Sequence, residues 1–214
     1  MAGGPVMGLR KRFWMAFAGV PRGRLGRSGA RWMVRLNERG NYEELARILA
    51  VQPDEDVLDV GCGSAAFLAS QEAGARHVAG LDASQLHIEL ARERLAGRIA
   101  AGTAEIVLGD AEALPWPQGR FAVVTSFNCL KFVPDPLKAL REIHRVLRPG
   151  GRAVLTISDR LRNPAASGTQ DAWGQWRWSE ADARRLMVEV GFVDVSASLF
   201  GQPQFQLVRG GKPI

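Results

Sequence analysis

Short apolar runs alternate with helix-forming segments from Asp56 onward, and this alternation constrains the fold more than any other feature. The runs predicted as strands are 57–60, 77–82, 104–108, 121–126 and 152–158. The helices predicted between them are Ser64–Glu72, Ser84–Ala96 and Asp135–Leu147, with Ser84 and Asp135 as N-caps. Runs rich in Val, Ile and Leu that alternate with helices are typical of a parallel sheet covered on both faces.

The C-terminal part of the sequence departs from this alternation. A helix is predicted over Ser179–Val190, and Gly191 follows it. Two strand-like runs, 192–200 and 204–209, then stand with only three residues between them. Because so short a connection joins antiparallel strands, we expect a hairpin at one edge of the sheet.

The positive charge of the sequence is confined to its first part. The 214 residues carry a net charge of +6, yet residues 1–37 hold eight Arg and Lys side chains and no acid. The remainder has 20 basic and 22 acidic side chains and carries −2. A nucleic-acid-binding domain more often spreads its basic footprint over a folded face, so a nucleic-acid partner is not favoured. We therefore divide the chain into a basic helical arm, 1–40, and a domain, 41–214.

The arm also carries large aromatic side chains, namely Phe13, Trp14, Phe17 and Trp32. These side chains favour a role for the arm as a lid that covers a binding pocket. Peripheral contact with an anionic membrane and a solvated arm are the two alternatives.

The arm lacks the small-residue cleavage site of a signal peptide, and the sequence has no apolar run of the roughly 18 residues that span a bilayer, so we expect a cytoplasmic protein. Two cysteines, Cys62 and Cys129, are too few for a disulfide framework.

The run V-L-D-V-G-C-G-S-A, residues 57–65, carries the main functional signal. A buried strand leads into a glycine-rich turn and then a helix, so Gly61 and Gly63 let the backbone approach a ligand at the helix N-terminus. Asp82 ends the second strand and is placed to accept the hydroxyls of a ribose. These features suit any cofactor that contains adenosine.

Three further details narrow the choice of cofactor. Asp59 lies in the strand before Gly61, where a carboxylate would repel a pyrophosphate and attract an ammonium or sulfonium group. Asp110 follows the third strand and is placed to accept the adenine amino group. The C-terminal hairpin is not part of the dinucleotide-binding fold.

At this point the sequence resembles the class I S-adenosylmethionine-dependent methyltransferases, in particular the small-molecule branch of quinone-biosynthesis and natural-product enzymes. The resemblance covers about residues 41–209. Its motifs are V-L-D-V-G-C-G, G-L-D-A-S, G-D-A-E-A-L-P-W-P, F-A-V-V-T-S-F-N-C-L-K-F-V-P-D-P and L-R-E-I-H-R-V-L-R-P-G-G-R-A-V-L-T-I-S-D. It implies an α/β, Rossmann-like fold: a seven-stranded, mostly parallel sheet with an antiparallel C-terminal hairpin, helices on both faces and an N-terminal helical lid.

The resemblance also assigns the cofactor site. Gly61 and Gly63 would line the methionine end, Asp82 would hold the ribose, and Asp110 with the Ala111 backbone would bind the adenine. Asn128 would lie near the sulfonium. Asp59, Cys62 and Ala83 complete the predicted set.

Two positions depart from the family pattern. Ala65 stands where the third glycine of G-x-G-x-G is usual, and Lys131 stands where relatives often carry a histidine. Lys131 and Asn128 are the candidate catalytic residues, with Asp159 as a further polar candidate. His77, His87 and His144 have no acid partner at motif spacing, so we expect structural or exposed roles for them.

The predicted acceptor pocket is bordered by the arm, by 128–132, by Asp159 and by Trp173, Trp176 and Trp178. The tryptophans form either an aromatic wall or a plug that seats a helix on the sheet. The predicted reaction is methyl transfer from S-adenosylmethionine to a small, hydrophobic or aromatic acceptor. Transfer to RNA or protein, and cofactor binding without transfer, are the alternatives.

Overall fold

A seven-stranded sheet organises the computed structural model, which describes residues 41–71, 74–157, 168–171, 174–200 and 205–214. The arm, Asp159 and Trp173 lie outside the described residues. The helices are α1 (Asn41–Leu49), α2 (Ala66–Ser70), α3 (Gln85–Arg94), α4 (Ala96–Ala100), α5 (Pro136–Val146) and α6 (Glu180–Val190). The strands are β1 (Asp56–Val60), β2 (His77–Asp82), β3 (Ala104–Leu108), β4 (Phe121–Ser126), β5 (Leu147–Ile157), β6 (Thr169–Gln170), β7 (Trp176–Arg177), β8 (Val193–Phe200) and β9 (Phe205–Gly211).

The strands of the large sheet follow the order β3-β2-β1-β4-β5-β9-β8, while β6 and β7 form a separate antiparallel pair. Strands β1 to β5 run parallel to one another, and β9 runs antiparallel to both β5 and β8. The predicted Rossmann-like sheet and its C-terminal hairpin are therefore confirmed.

Several observed element bounds differ from the predicted ones, including those of α2, α3 and β5. The helix predicted over Ser64–Glu72 is shorter, because Ala65 is left-handed (φ 56°) and α2 begins only after it. The helix predicted over Ser84–Ala96 ends at Arg94, and α4 follows. Strand β5 begins at Leu147 instead of Arg152.

Apolar side chains pack on both faces of the sheet. Neighbouring residues of one strand, such as Val123 and Val124 or Val154 and Leu155, belong to different apolar clusters, since alternate side chains point to opposite faces. Helices α5 and α6 contribute to one cluster and α1, α2 and α3 to the other. Among the described residues, no helix has the length and apolarity needed to cross a membrane.

The opposite end of the sheet from the glycine-rich turn is held by ion pairs. Asp56, at the start of β1, pairs with Arg76 and Arg120. Glu55 accepts from Arg152, with a Nη2 to Oε2 distance of 2.8 Å. Ion pairs thus occupy the amino ends of these strands. In open α/β sheets, ligands generally bind at the carboxyl ends, where the glycine-rich turn lies.

Candidate functional site

The turn after β1 needs glycine at Gly61 and Gly63 for different reasons. Both residues have positive φ, 78° and 53°. A Cβ on Gly61 would lie 2.3 Å from the Cβ of Cys129, so another part of the protein occupies that space. A Cβ on Gly63 would meet no atom of the described residues within 4 Å. Gly63 therefore borders open space, as a ligand-facing residue should.

Ala65 preserves the backbone shape that the third glycine of the motif would adopt. Its φ of 56° and ψ of 30° are left-handed, which is uncommon for a residue with a side chain. The residue is fully buried, and its N–H donates to the Cys62 carbonyl at 2.9 Å. The departure from the family pattern thus leaves the path of the turn intact.

Asp82 joins the first turn to the second. Its Oδ2 accepts a hydrogen bond from the Gly63 N–H at 2.9 Å, and its Oδ1 accepts one from the Ser84 N–H at 2.9 Å. The residue is 8% exposed. The carboxylate therefore lies directly beside the glycine-rich turn, where the sequence placed it.

The structure corrects the expectation that His87 has no acid partner. Its Nδ1 lies 3.2 Å from Asp82 Oδ1, so it does have an acid partner. The contact forms because Ser84 caps α3: the Ser84 hydroxyl accepts from the His87 N–H, which turns the first helical turn back toward Asp82. The signal in the sequence was an N-cap serine between a strand-end aspartate and a histidine.

Asp59 is a buried acid with a hydroxyl partner. It is 3% exposed, and Thr125 Oγ1 donates to its Oδ1 at 2.8 Å, so it does not merely cap its own turn. Burial raises the pKa of Asp59 to about 7, and the nearby charge of Asp82 adds to the rise. Within the described part of the chain, no cationic side chain forms an ion pair with Asp59. A cationic ligand group would supply the missing charge.

The predicted adenine-binding residues lie at the end of the neighbouring strand. Asp82 pairs in register with Leu108, and Asp110 comes two residues after Leu108. Asp110 is exposed and its Oδ1 accepts from the Glu112 N–H at 2.9 Å, while Ala111 is buried. Ala83 is exposed beside Asp82.

The predicted acceptor side follows β4. Asn128 is half-buried and left-handed (φ 55°), and its N–H donates to Thr156 Oγ1 at 2.7 Å. Lys131 lies in a 3-10 turn, Leu130–Phe132, with its Nζ 5.3 Å from the Phe132 ring centroid. The structure thus holds the two candidate catalytic residues on one short segment beyond the sheet.

Two of the three tryptophans predicted to border the acceptor pocket, Trp176 and Trp178, lie within the described residues and differ in their surroundings. Trp178 is 5% exposed and packs in the same core cluster as Met187 of α6, so it is a plug between helix and sheet. Trp176 stacks on it with ring centroids 6.3 Å apart and donates its indole N–H to the Val133 carbonyl at 3.0 Å. Trp176 is half-buried beside the Lys131 segment, where an acceptor wall is expected.

The cysteines and the remaining histidines are buried or half-buried. Cys62 is 7% exposed and Cys129 packs against Gly61. Burial raises the pKa of the Cys129 thiol to about 12, so it is protonated at neutral pH. Burial lowers the pKa of both His77 and His144.

A sheet of this order, with a glycine-rich turn after β1, an acid at the end of β2 and another after β3, defines a nucleoside-binding α/β domain of the methyltransferase type. The profile of the methyltransferase domain family matches residues 58–155. A 2-phytyl-1,4-naphtoquinone methyltransferase from Synechococcus elongatus is 33% identical over 162 residues, or 74% of this chain and 70% of the relative. The chain belongs to the class I S-adenosylmethionine-dependent methyltransferases.

Other similar proteins agree with this assignment. A demethylmenaquinone methyltransferase from Listeria monocytogenes is 37% identical over 113 residues, which is 51% of this chain and 47% of the relative. Phosphoethanolamine N-methyltransferase 2 from Haemonchus contortus, solved with S-adenosyl-L-methionine, superposes with a TM-score of 0.72 at 16% identity, over 95% of this chain and 60% of that one. The [4+2]-cyclase SpnF superposes with a TM-score of 0.70 at 18% identity, over 90% and 85%. These last two likenesses are of fold alone.

The residues present fit S-adenosylmethionine, the cofactor of this enzyme. Open space beside Gly63 admits a ligand against the backbone. Asp59 offers an uncompensated buried carboxylate to a cationic group, and Asp82 offers a carboxylate to hydroxyls. No cluster of metal-binding side chains occurs within the described ranges.

Proposed function

We propose that this enzyme transfers the methyl group of S-adenosylmethionine to a small, apolar, polycyclic acceptor of the quinol class. The observation that carries the proposal is the similarity to a quinone methyltransferase over 70% of that relative's length. The residues after β4 support it, since Phe127, Leu130 and Phe132 make that region predominantly apolar. Apolar pockets with few polar groups suit small hydrophobic ligands better than polynucleotides.

The cofactor is held from three strand ends. Gly61 and Gly63 give the methionine portion a close approach to the backbone, and ionised Asp59 balances its ammonium group. Asp82 accepts from the ribose, and Asp110 accepts from the adenine amino group. Cys62, Ala83 and Ala111 contribute backbone to the same surface, and Asn128 borders the methyl group.

S-adenosylmethionine supplies a methyl group that its sulfonium already activates. The chain therefore contributes alignment of the acceptor and exclusion of water. Lys131 stabilises the negative charge of a quinol that has lost a proton, and Asn128 orients the acceptor. The Asp82–His87 pair lies at the ribose end of the site and not at the acceptor end, because β1 lies between β2 and β4 in the sheet.

The arm, 1–40, acts as a lid over the acceptor. Its aromatic side chains suit an apolar substrate, and its arginines are suited to an anionic membrane surface from which such a substrate would be drawn.

The proposal is tested by methyl transfer to a panel of demethylated naphthoquinols. The full chain is incubated with S-adenosylmethionine and each quinol under reducing conditions, and products are identified by mass spectrometry. We expect a singly methylated product from the quinol, none from the oxidised quinone, and little from the Asp82→Ala variant. Asp54→Ala, which alters an exposed acid away from the site, is the matched control.

Three results would contradict the proposal. Methyl transfer to RNA or protein, with no transfer to any quinol, would contradict the proposal that the acceptor is a quinol. Binding of a nicotinamide dinucleotide as strong as that of S-adenosylhomocysteine would remove the cofactor assignment. Unchanged S-adenosylhomocysteine affinity in Asp82→Ala would remove the ribose role of Asp82.

A further inference from the structure

We propose that His87 competes with the cofactor ribose for the Asp82 carboxylate and so limits the affinity of the cofactor site. This inference rests on the proposed ribose role of Asp82. His87 and Asp82 are largely buried, with 14% and 11% of their side chains exposed. Their contact therefore lies inside the site and is not a solvent-exposed surface pair.

The hydrogen-bonding capacity of Asp82 sets up the competition. A carboxylate offers about four acceptor positions, two on each oxygen. Oδ1 receives the Ser84 N–H at 2.9 Å and faces His87 Nδ1 at 3.2 Å, while Oδ2 receives the Gly63 N–H at 2.9 Å. When the donors of the described residues are counted, one acceptor position remains on Asp82. A ribose that donates both of its hydroxyls needs two.

One of the three protein donors must leave when the ribose binds through both hydroxyls. The Gly63 N–H is fixed by the turn after β1, and the Ser84 N–H belongs to the N-cap residue of α3. Moving either would displace backbone. The His87 imidazole needs only a side-chain rotation, since its own N–H stays on the Ser84 hydroxyl. His87 is therefore the donor that leaves.

Loss of the His87 contact opposes binding of the ribose and of nothing else in the cofactor. At 3.2 Å the contact is longer than a strong charge-assisted hydrogen bond, so its loss should cost about as much as one ordinary hydrogen bond. Removal of the imidazole should therefore raise cofactor affinity about three- to tenfold. The gain should disappear for a ligand that lacks the two hydroxyls. A role for His87 in folding alone would not distinguish these ligands.

The test measures affinity by calorimetry on the full chain with S-adenosylhomocysteine and with its 2′,3′-dideoxy analogue. The variants are His87→Leu, which removes the donor, and His87→Gln, which keeps one. His77→Leu is the matched control, because His77 lies at the other end of β2 from Asp82. Thermal unfolding of each variant reports whether it folds, and the His87 ring resonance in the wild type reports displacement directly by NMR.

We expect His87→Leu to bind S-adenosylhomocysteine about three- to tenfold more tightly than the wild type, and His87→Gln and His77→Leu to bind like it. The His87 resonance should shift with S-adenosylhomocysteine and stay in place with the dideoxy analogue. If His87→Leu binds S-adenosylhomocysteine no more tightly than the wild type, or if the His87 resonance stays in place at saturation, the proposed competition is wrong. If Asp82→Ala still weakens binding in that case, the ribose role of Asp82 stands and only the role of His87 falls.

Discussion

Thr125 and Asp59 form a buried hydroxyl–carboxylate pair across β4 and β1, with Oγ1 and Oδ1 2.8 Å apart. The two strands pair in register at these residues, so the hydroxyl is fixed by the sheet. One hydroxyl does not replace the water that an ionised carboxylate loses on burial. The pair therefore makes the free enzyme sensitive to pH near neutrality.

The first prediction concerns this sensitivity. The pKa of Asp59 is about 7 in the folded chain, against 3.8 for the ordinary group, so the folded state binds the proton more tightly. Stability therefore falls as pH rises from 3.8 toward 7, and the full cost remains above 7. Asp59→Asn should stabilise the free protein, by about 2 kcal/mol more at pH 8.5 than at pH 5.5. Urea unfolding at both pH values measures the difference, and an equal effect at the two would contradict it.

The second prediction separates the two glycines of the turn. Gly61→Ala places a Cβ 2.3 Å from Cys129, so it should lower the free energy of unfolding by about 2 kcal/mol or more. Gly63→Ala meets no protein atom within 4 Å, so its cost should be limited to the strain of a left-handed alanine, about 1 kcal/mol. Its larger effect should be weaker binding of S-adenosylhomocysteine. Chemical denaturation and calorimetry on both variants test the contrast, which fails if Gly63→Ala binds normally.

The third prediction concerns Lys131. If its cation stabilises charge that exists only in the attacking acceptor, Lys131→Met should slow transfer at least about tenfold, or 1.4 kcal/mol. Affinity for S-adenosylhomocysteine should not change. Single-turnover kinetics with the acceptor measure the rate, with Lys138→Met, an exposed lysine of α5, as the control. A normal rate would assign Lys131 to the surface and leave alignment as the catalytic device.

The fourth prediction concerns the arm. Deletion of residues 1–37 removes eight basic side chains and should abolish acceptor turnover while cofactor binding persists. Calorimetry and the quinol assay on the shortened chain provide the two measurements. Full activity after deletion would exclude the lid. Salt-sensitive binding of the full chain to anionic vesicles, absent from the shortened one, would support the membrane alternative.

Features encoded locally were predicted well from the sequence. Ser84 and Asp135 accept from the N–H groups of His87 and Lys138, as their positions before the helices indicated. The position of Asp82 followed from the end of a strand beside a glycine-rich turn. The N-cap predictions depend on residues close in sequence, whereas Asp82 reaches Gly63 through the pairing of β1 with β2.

Features set by long-range contacts were missed. Strand β5 was predicted to begin at Arg152, yet Leu147 already pairs with Phe121, and the Gly150 N–H donates to the Lys212 carbonyl. The contact between His87 and Asp82 was also missed. The N-cap serine between the two residues indicates that they approach each other, but the direction of the imidazole follows only from the folded helical turn.

The position of β9 between β5 and β8 has a consequence for synthesis on the ribosome. Strands β1 to β5 can pair in the order in which they emerge, but β8 emerges before the strand that joins it to the sheet. Until 205–211 have left the exit tunnel, β5 keeps an open edge and β8 has no partner in the large sheet. A nascent chain stalled in that interval exposes the edge of β5 and an unpaired β8. Such exposed strands bind chaperones and promote aggregation.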